Sequence, residues 1–377
     1  MTQSLRKLYV ASFIGVLILI FLWSMRGVLS YRAPAEFTVL DGGLAKTFEQ
    51  HYDKNLPVKD VGTNVWAAID YLLFNEGRPG VLIGENDWLF SDEEFDPVAN
   101  AQQQLNDNLA VIRGVHDELA RHNVQLVLAI IPAKSRLYPE HVGDHRPSSL
   151  HEHLYQRFHA AVRGAGITAP DLLDPLQAAK DDAQLFLRTD THWTPEGAEL
   201  VAQQLSKSIH LEGEPRAFIT EAGEQERYKG DLTSFVPVDP LFADLLPEFD
   251  PLAKRTTRAA SQPQEGADAL FADTDMPVTL VGTSYSANPN WNFDGALRQH
   301  LHRDLSNHAE EGKGPILPML TYLQSDELKN AAPQVVIWEF PERYLPMAND
   351  LSGFDPAWIA ELKGSENTQQ LATTVSR

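Results

Sequence analysis

Apolar residues along the chain change their spacing in a way that predicts alternating helices and strands. Between Leu105 and Leu119 they recur every three or four residues, as on one face of an amphipathic helix. Short runs of consecutive apolar residues, typical of strands buried on both faces of a parallel sheet, occupy 126–131, 278–281 and 335–338. Strands that alternate with helices predict an α/β fold, in which helices cover both faces of a mainly parallel sheet.

The segment from 81 to 90 has a different pattern, in which two short apolar stretches flank three polar residues. Val81–Ile83 and Trp88–Phe90 have the composition of paired strands, and Glu85, Asn86 and Asp87 lie between them. Two apolar runs separated by so few polar residues predict a β-hairpin.

The N-terminal region contains an uncharged, largely apolar run from Leu8 to Met25, preceded by Arg6 and Lys7. As a helix, this run spans roughly 27 Å at about 1.5 Å per residue, which is nearly the thickness of the hydrocarbon core of a membrane. The preceding positive charges favour an N-terminus in the cytoplasm, so the rest of the chain is exported. A signal peptide cleaved after Ser30 is the alternative. We expect a retained anchor, because the run is long for a signal sequence.

The same patterns divide the chain into an anchor, a connector with some helix, an α/β domain and a polar tail. An irregular insertion, rich in Pro, Asp and Glu, interrupts the domain. The predicted ranges are 1–30 for the anchor, 31–79 for the connector, 80–350 for the domain, 211–275 for the insertion and 351–377 for the tail.

Composition excludes several classes of chemistry and of partner. None of the 377 residues is cysteine, so disulfides, thiol nucleophiles and Cys-ligated metals are ruled out. The formal net charge of −21 repels polyanions, so nucleic acid is not expected as a partner. An acidic polymer as substrate would need a local basic patch or a brief encounter.

Candidate catalytic residues lie at the predicted ends of apolar strands, where α/β proteins bind ligands. Ser284 follows the strand at 278–281, and Asp190 and His192 follow the apolar pair at 186–187. In an extended stretch, residues i and i+2 point the same way, so the Asp190 carboxylate can orient the imidazole of His192. A serine hydroxyl needs such a base to act as a nucleophile. Each segment alone also fits a turn or a surface pair, but together they predict a Ser-His-Asp triad.

Two pairs of histidines have the spacing of metal ligands and are nevertheless predicted to be solvated. His151 with His153, and His300 with His302, lie in predicted helices, where residues i and i+2 point in different directions. We therefore predict no metal site, and no cofactor is expected.

Two residues beside the triad are candidates for substrate binding. Tyr285 follows Ser284 directly, and Arg343 follows the last predicted strand. Glu342 and Arg343 are predicted to form a structural ion pair, with a role in substrate binding as the alternative. Ser286 stands where the Gly-x-Ser-x-Gly elbow has its last glycine, so the segment is not a full elbow.

Several longer stretches carry a family resemblance. They read GVLIGENDWLF at 80–90, IIPAKSRLYPE at 130–140, RTDTHWTPEGA at 188–198, LVGTSYSANPNWNF at 280–293 and WEFPERYL at 338–345. The chain over these stretches resembles the AlgJ/AlgX family of alginate O-acetylation proteins, within the SGNH-hydrolase superfamily. Asp-Thr-His-Trp with a later Gly-Thr-Ser is specific to such proteins, whereas a lone Gly-x-Ser is not.

The resemblance implies a three-layer α/β sandwich with Ser284 as nucleophile, His192 as base and Asp190 as orienting carboxylate. It also implies a circularly permuted order, because Asp and His precede the serine here and follow it in ordinary SGNH chains. The chain departs from the superfamily in its oxyanion block. Residues 84–87 match Gly-x-Asn-Asp but read more simply as a hairpin turn, so the backbone N–H of Ser284 is the expected oxyanion donor.

The resemblance further implies a periplasmic O-acetyltransferase or acetylesterase that acts on alginate through an acetyl-serine. A separate multispanning acyltransferase of the inner membrane would deliver the acetyl donor, and other alginate acetylation proteins would be partners. A polysaccharide deacetylase with the same triad and a non-catalytic scaffold of an export complex are alternatives. The complete triad argues against the scaffold, and the sequence leaves open whether a sugar hydroxyl or water accepts the acetyl group.

Overall fold

The fold is described for residues 3–33, 42–260 and 276–364 of a computed structural model. The chain divides into two compact units. Unit 1 comprises residues 1–78 and 234–247, and unit 2 comprises residues 79–233 and 248–377.

Helices and strands alternate through most of the described chain. The α-helices are α1 Gln3–Ser30, α2 Gly43–Lys54, α3 Pro57–Ile69, α4 Ala101–Arg121, α5 Lys134–Leu137, α6 Ser149–Glu152, α7 Leu154–Gly164, α8 Leu173–Ala179, α9 Pro195–Ser206, α10 Ser284–Ala287, α11 Phe293–Leu301, α12 Ile316–Leu323, α13 Asp326–Asn330 and α14 Pro356–Lys363. The strands are β1 Leu82–Ile83, β2 Leu89–Phe90, β3 Gln125–Ile131, β4 Phe218–Tyr228, β5 Asp250–Ala259, β6 Val278–Val281, β7 Leu305–Asn307 and β8 Val335–Pro341.

A four-stranded parallel sheet, in the order β3-β8-β6-β7, forms the centre of unit 2. Alternate residues of its strands enter two separate cores. Val127 and Ile337 pack in one core with residues of α8, α9 and α11, whereas Leu128 and Trp338 pack in the other with residues of α4, α7 and α12. This is the predicted three-layer sandwich. The buried runs lack polar alternation because both faces of the sheet are covered.

The order of the strands explains why the predicted site residues meet. In a parallel sheet all carboxyl ends lie at one edge. The chain leaves that edge after Ile131, Val281 and Pro341, and these exits lead directly to Lys134, Ser284 and Arg343.

The predicted hairpin is confirmed by the pairing of β1 with β2. Asn86 and Asp87 adopt positive φ values of 55° and 65°, and the Gly84 N–H donates a hydrogen bond to the Trp88 carbonyl at 2.8 Å. Asn and Asp tolerate this left-handed conformation better than most residues. The Asn-Asp pair therefore forms a turn, as its position between two apolar runs predicts.

The prediction that residues 211–275 are irregular is wrong for much of this segment. Strands β4 and β5 pair antiparallel over 218–228 and 250–259. Most β4 side chains are exposed, so the strand lacks the apolar alternation that reveals a half-buried strand in a sequence. Residues 261–275 lie outside the described part of the chain.

The predicted polar tail at 351–377 also contains ordered structure in its first half. Helix α14 buries Ile359 against α4, where a Cβ on Gly114 would lie 1.9 Å from the Leu362 carbonyl oxygen. Glycine at 114 therefore permits a close approach of the two helices. Residues 365–377 lie outside the described range.

Unit 1 consists mainly of α1, α2 and α3. Over the described residues, α1 is the helix that is long and apolar enough to cross a membrane, and most of its side chains are exposed. Its length and composition match the anchor predicted at 1–30 and support anchoring of the chain to a membrane.

Candidate active site

Ser284, His192 and Asp190 form one chain of hydrogen bonds at the carboxyl edge of the sheet. The Ser284 Oγ lies 2.7 Å from His192 Nε2, and His192 Nδ1 lies 2.6 Å from Asp190 Oδ1. Asp190 is fully buried, whereas Ser284 is partly exposed. This arrangement would allow the carboxylate to orient the imidazole and the imidazole to take the proton of the serine hydroxyl. The structure therefore brings together the three residues that the sequence predicts.

The contact between Asp190 and His192 arises from a bend, which corrects the predicted extended stretch. Leu187 N–H donates to the His192 carbonyl at 3.1 Å, so the intervening residues form a tight loop. Within it, the His192 N–H donates to Asp190 Oδ1 at 2.9 Å. The short Asp side chain folds back on the backbone two residues later, as in an Asx turn. The side chains meet through this turn and not through strand alternation.

Asp190 remains a carboxylate because hydrogen bonds outweigh its burial. Burial alone would raise its pKa, but the hydrogen bond and charge of His192 lower the pKa below its ordinary value. The backbone N–H of Asp231 adds a hydrogen bond to Asp190 Oδ2 at 2.8 Å. An ionised Asp190 stabilises the imidazolium that forms when His192 accepts a proton.

Asp231 is a site residue that sequence reasoning missed. Its carboxylate accepts hydrogen bonds from the Thr191 N–H at 2.8 Å and the Thr191 hydroxyl at 2.6 Å. Its Oδ2 also lies 3.8 Å from His192 Nδ1. Asp231 thus braces the residue between Asp190 and His192, and it adds negative charge near the imidazole. It lies in the segment predicted as an irregular insertion, and no local pattern marks it.

The side chain of Lys134 binds the loop that carries Asp190. Its buried ammonium donates to the carbonyl oxygens of Leu89 at 2.6 Å, Arg188 at 2.8 Å and Asp190 at 2.9 Å. Burial lowers the pKa of Lys134 to about 8. Three carbonyl acceptors satisfy the three donors of an ammonium group, so this side chain ties the β2 strand to the catalytic loop.

Glu339 supports the turn that presents Ser284. Its fully buried carboxylate accepts hydrogen bonds from the Thr283 N–H at 2.7 Å and from the Ser286 hydroxyl at 3.0 Å. Burial raises the pKa of Glu339 to about 7. A Cβ at position 282 would lie 2.4 Å from Glu339 Oε2, so glycine is required at Gly282. Ser286 points towards Glu339 and is buried, whereas Ser284 faces His192.

Aromatic rings enclose the imidazole of His192. The Trp291 ring stacks on it at 5.2 Å between centroids and 22° between planes, and the Tyr285 ring lies at 4.7 Å and 51°. Tyr228 packs edge-on against Trp291. Burial and the nearby charge of Asp190 raise the pKa of Tyr228, so its hydroxyl stays protonated and can donate a hydrogen bond. These rings restrict the orientation of the imidazole.

Tyr285 and Arg343, the predicted substrate-binding residues, are both buried in this structure. The Tyr285 hydroxyl donates to the Thr191 carbonyl, and Arg343 donates to the Tyr285 hydroxyl at 3.3 Å. The Arg343 guanidinium also lies 5.5 Å over the Tyr285 ring. These contacts connect β8 to the catalytic loop, so they support a positioning role for both side chains.

The predicted ion pair between Glu342 and Arg343 does not form. Glu342 instead binds the guanidinium of Arg136 and the Ala133 N–H, and the Arg343 Nε lies 3.2 Å from Glu93 Oε2. Glu342 and Arg343 lie in a 3-10 helical turn directly after β8, where successive side chains point in different directions, so each charge pairs with a different partner.

Ser284 is the first residue of α10, and its backbone N–H has no helical partner. No acceptor for this N–H is found among the residues that the structure describes. A helix start offers free N–H groups and positive potential to a developing oxyanion. The position is compatible with the predicted oxyanion role of Ser284.

Carboxylates and histidine at the site can also be considered as metal ligands. Asp190, His192 and Asp231 each offer one atom, and these atoms lie within 4.8 Å of one another. However, both nitrogens of His192 are already engaged, one with Asp190 and one with Ser284. A cation on Nδ1 would displace the hydrogen bond that makes Nε2 a base, so the contacts fit a triad better than a metal centre.

The prediction that both histidine pairs are solvated is wrong for His151, which is buried. Its Nε2 lies 3.0 Å from the Asp96 carbonyl. Helix α6 ends before His153, and this break separates the pair and turns His151 inward. In the other pair, His302 is exposed and His300 lies 3.7 Å from Glu199.

Comparison with known protein families identifies one whose model matches the part of the chain that contains this site. The family model described as "SGNH hydrolase-like domain, acetyltransferase AlgX" matches residues 81–342. That range includes all three residues of the hydrogen-bonded chain.

Individual proteins and one solved structure are similar over most of the chain. The probable alginate O-acetylase AlgJ of Pseudomonas syringae pv. tomato is 61% identical over 374 residues, which cover 98% of this chain and 96% of that protein. Its counterpart in Pseudomonas aeruginosa is 54% identical over 379 residues, with 97% of each chain covered. The structure of the O-acetyltransferase domain of Pseudomonas putida AlgJ is 59% identical, with a TM-score of 0.71, and covers 77% of this chain and 100% of that one.

Proposed function

We propose that this chain, which belongs to the AlgJ/AlgX family of SGNH-hydrolase-like O-acetyltransferases, transfers acetyl groups to hydroxyls of alginate through an acetyl-serine at Ser284. The observation that carries the proposal is the unbroken hydrogen-bonded chain from Asp190 through His192 to the Ser284 hydroxyl. The similarity of the protein to relatives named alginate O-acetylases supports alginate as the acceptor of the acetyl group.

The first half-reaction forms the acetyl-enzyme. His192 Nε2 takes the proton of Ser284 as the Oγ attacks the carbonyl carbon of the acetyl donor. The backbone N–H of Ser284 stabilises the negative charge on the carbonyl oxygen. The tetrahedral intermediate then expels the donor's leaving group, which receives the proton from the imidazolium. Asp190 keeps Nδ1 protonated throughout, so Nε2 is the nitrogen that exchanges protons.

The second half-reaction returns Ser284 to its free state. An acceptor hydroxyl replaces the leaving group, gives its proton to His192 and attacks the acetyl carbon. Collapse of this intermediate breaks the bond to Ser284 Oγ, which recovers a proton from the imidazolium. With a sugar hydroxyl the product is an acetylated polymer, and with water it is acetate.

The proposal extends to the location of the protein and its partners. Helix α1 would anchor the chain in the inner membrane and leave the catalytic residues in the periplasm. A multispanning acyltransferase of the same membrane would deliver the acetyl donor, and other alginate acetylation proteins would act beside it. The net charge of −21 opposes extended binding of a polyuronate and favours brief encounters with the polymer.

The acceptor is tested by following the acetyl group from an aryl acetate. The full chain in detergent or bilayers is incubated with the ester, with and without polymannuronate, and acetyl on the polymer is measured against free acetate. We expect polymer acetylation that disappears in Ser284→Ala. Acetate as the sole product at saturating polymer would contradict transfer and favour a deacetylase.

Anchoring is tested by N-terminal sequencing of the native protein after cell fractionation. A mature chain that retains the 8–25 run in the membrane fraction supports the anchor. A chain that begins at Tyr31 in the soluble periplasm would overturn it.

A further inference from the structure

Helix α3 and the π-helical turn that continues it expose a group of large apolar side chains in unit 1. These are Val65, Trp66, Leu72, Leu73 and Phe74, whose exposed fractions range from 40% to 73%. We call this group the apolar face of α3. Single exposed apolar residues are common, but five within ten residues form a patch of the kind that marks an interaction site.

The spacing of these residues places four of them on one side of the helix. Val65 and Trp66 are followed seven residues later by Leu72 and Leu73, which is two helical turns. A neighbouring side of the helix faces the rest of unit 1. There Asn64 and Ala68 are buried, and the Asn64 side chain donates to the Pro237 carbonyl at 2.7 Å. The apolar side of α3 thus faces away from unit 1, whereas the apolar side of a surface helix ordinarily packs against its own core.

The position of α3 beside α1 indicates what covers this face. Helix α1 contacts both α2 and α3, and its buried residues are Ser24 and Gly27, at the end of the apolar run. A Cβ at Gly27 would lie 3.4 Å from the Tyr52 ring, so α2 also approaches α1 closely there. The N-terminal two thirds of α1 remain exposed, as a segment surrounded by lipid does. Because the buried positions of α1 lie near its C-terminal end, an α1 that crosses a bilayer would leave the hydrocarbon core close to α2 and α3.

Residue types on the apolar face match that level of a membrane. Tryptophan is enriched where hydrocarbon meets headgroups, and its amphipathic ring is stable there. A helix that exposes Trp, Leu and Phe on one side can lie in the plane of the interface with that side towards the acyl chains.

We propose that the apolar face of α3 inserts into the interface of the bilayer that α1 crosses, as a second membrane contact of unit 1. The proposal rests on the anchoring of α1 proposed above and goes beyond it, because a single helix anchor leaves its unit free to rotate about the helix axis. Contact through α3 fixes which side of unit 1 faces the lipid. A second contact also adds to the affinity for the membrane without any new contact to a protein.

The absence of cysteine from the sequence allows a direct test. Full-length single-cysteine variants carry an environment-sensitive fluorophore and are reconstituted in vesicles, with and without nitroxide-labelled lipids. Leu73→Cys reports on the apolar face, Leu19→Cys on the anchor and Glu49→Cys on an exposed polar position of α2. Circular dichroism of each variant checks that the helices of unit 1 are retained, and aryl acetate turnover checks that unit 2 is folded.

We expect blue-shifted emission and quenching at positions 19 and 73, and neither at position 49. The quencher that is most effective at 73 should be the one nearest the glycerol region, and at 19 the one deep in the acyl chains. Quenching at 19 with a water-exposed label at 73 would overturn the interfacial contact and leave the anchor standing. Lack of quenching at 19 would contradict the anchor itself. Blue-shifted emission from the label at 73 that appears in native membranes but not in lipid vesicles would identify the face as a protein docking surface and also overturn the proposal.

Discussion

The carboxylate of Glu339 accepts a hydrogen bond at 2.7 Å from the backbone N–H of Thr283, the residue before Ser284. The Thr283 and Ser286 hydroxyls donate to the same carboxylate. These bonds favour the charged form, but complete burial disfavours it more strongly and raises the pKa of Glu339 to about 7. The turn that presents Ser284 therefore depends on a group that titrates near neutral pH.

The raised pKa predicts a pH dependence of stability that Glu339→Gln should remove. Between pH 4.5 and about 7, the folded chain keeps a proton on Glu339 that the unfolded chain has lost. The free energy of unfolding therefore falls as pH rises through this window, by up to about 3 kcal/mol at about 1.4 kcal/mol per pKa unit. Urea unfolding of the wild type and the variant across this range measures the difference. A stability difference that does not change with pH would contradict the raised pKa.

Loss of any triad residue should abolish most acetyl-ester turnover. Ser284→Ala and His192→Ala should each lower kcat by about 10⁴-fold or more, and the double variant should be no worse than either, since the residues act as a unit. Circular dichroism checks the fold, and Ser206→Ala, a change at a half-buried residue of α9, is the matched control. Ser286→Ala should lose far less activity than Ser284→Ala. The reverse order would assign the nucleophile to Ser286.

Asp231→Ala should lower kcat by about tenfold and leave KM for an aryl acetate unchanged. The variant removes both acceptors of Thr191, and a hydrogen bond of about 1.4 kcal/mol corresponds to a factor of ten in rate. Asp231→Asn keeps one acceptor oxygen, so its kcat should lie between those of the wild type and Asp231→Ala. Asp174→Ala, an exposed change on α8, is the control. Unchanged kcat in Asp231→Ala would show that the hydrogen bonds from Thr191 to Asp231 are not needed to position Asp190 and His192.

Activity should survive thorough chelation. Both nitrogens of His192 are engaged by Asp190 and Ser284, so a cation held by Asp190, His192 and Asp231 would compete with the triad. Dialysis against a strong chelator, followed by aryl acetate assays with and without divalent ions, tests this. Loss of activity that one specific ion restores would assign the cluster to a metal.

Local patterns of sequence were sufficient to predict the strands that lead to the candidate catalytic residues. The runs at 278–281 and 335–338 predict buried strands because both faces of a parallel sheet are apolar, and β6 and β8 confirm this. The run at 126–131 likewise predicts β3, which pairs parallel with β8. Exposed strands and short terminal helices were misjudged, because β4 and α14 bury too few side chains to leave a periodic signal.

Residues that brace the triad depend on contacts between distant parts of the chain. Glu339 lies 55 residues after Ser284 and reaches its turn because β8 pairs with β6. Lys134 and Asp231 reach the loop at 188–192 from opposite directions along the chain. Spacing in sequence reports on neighbours within one helix or strand, and it carries no information about which strands become adjacent. Ser284, His192 and Asp190 could therefore be predicted from local motifs, whereas the groups that hold them come together only when the sheet packs and brings distant segments of the chain into contact.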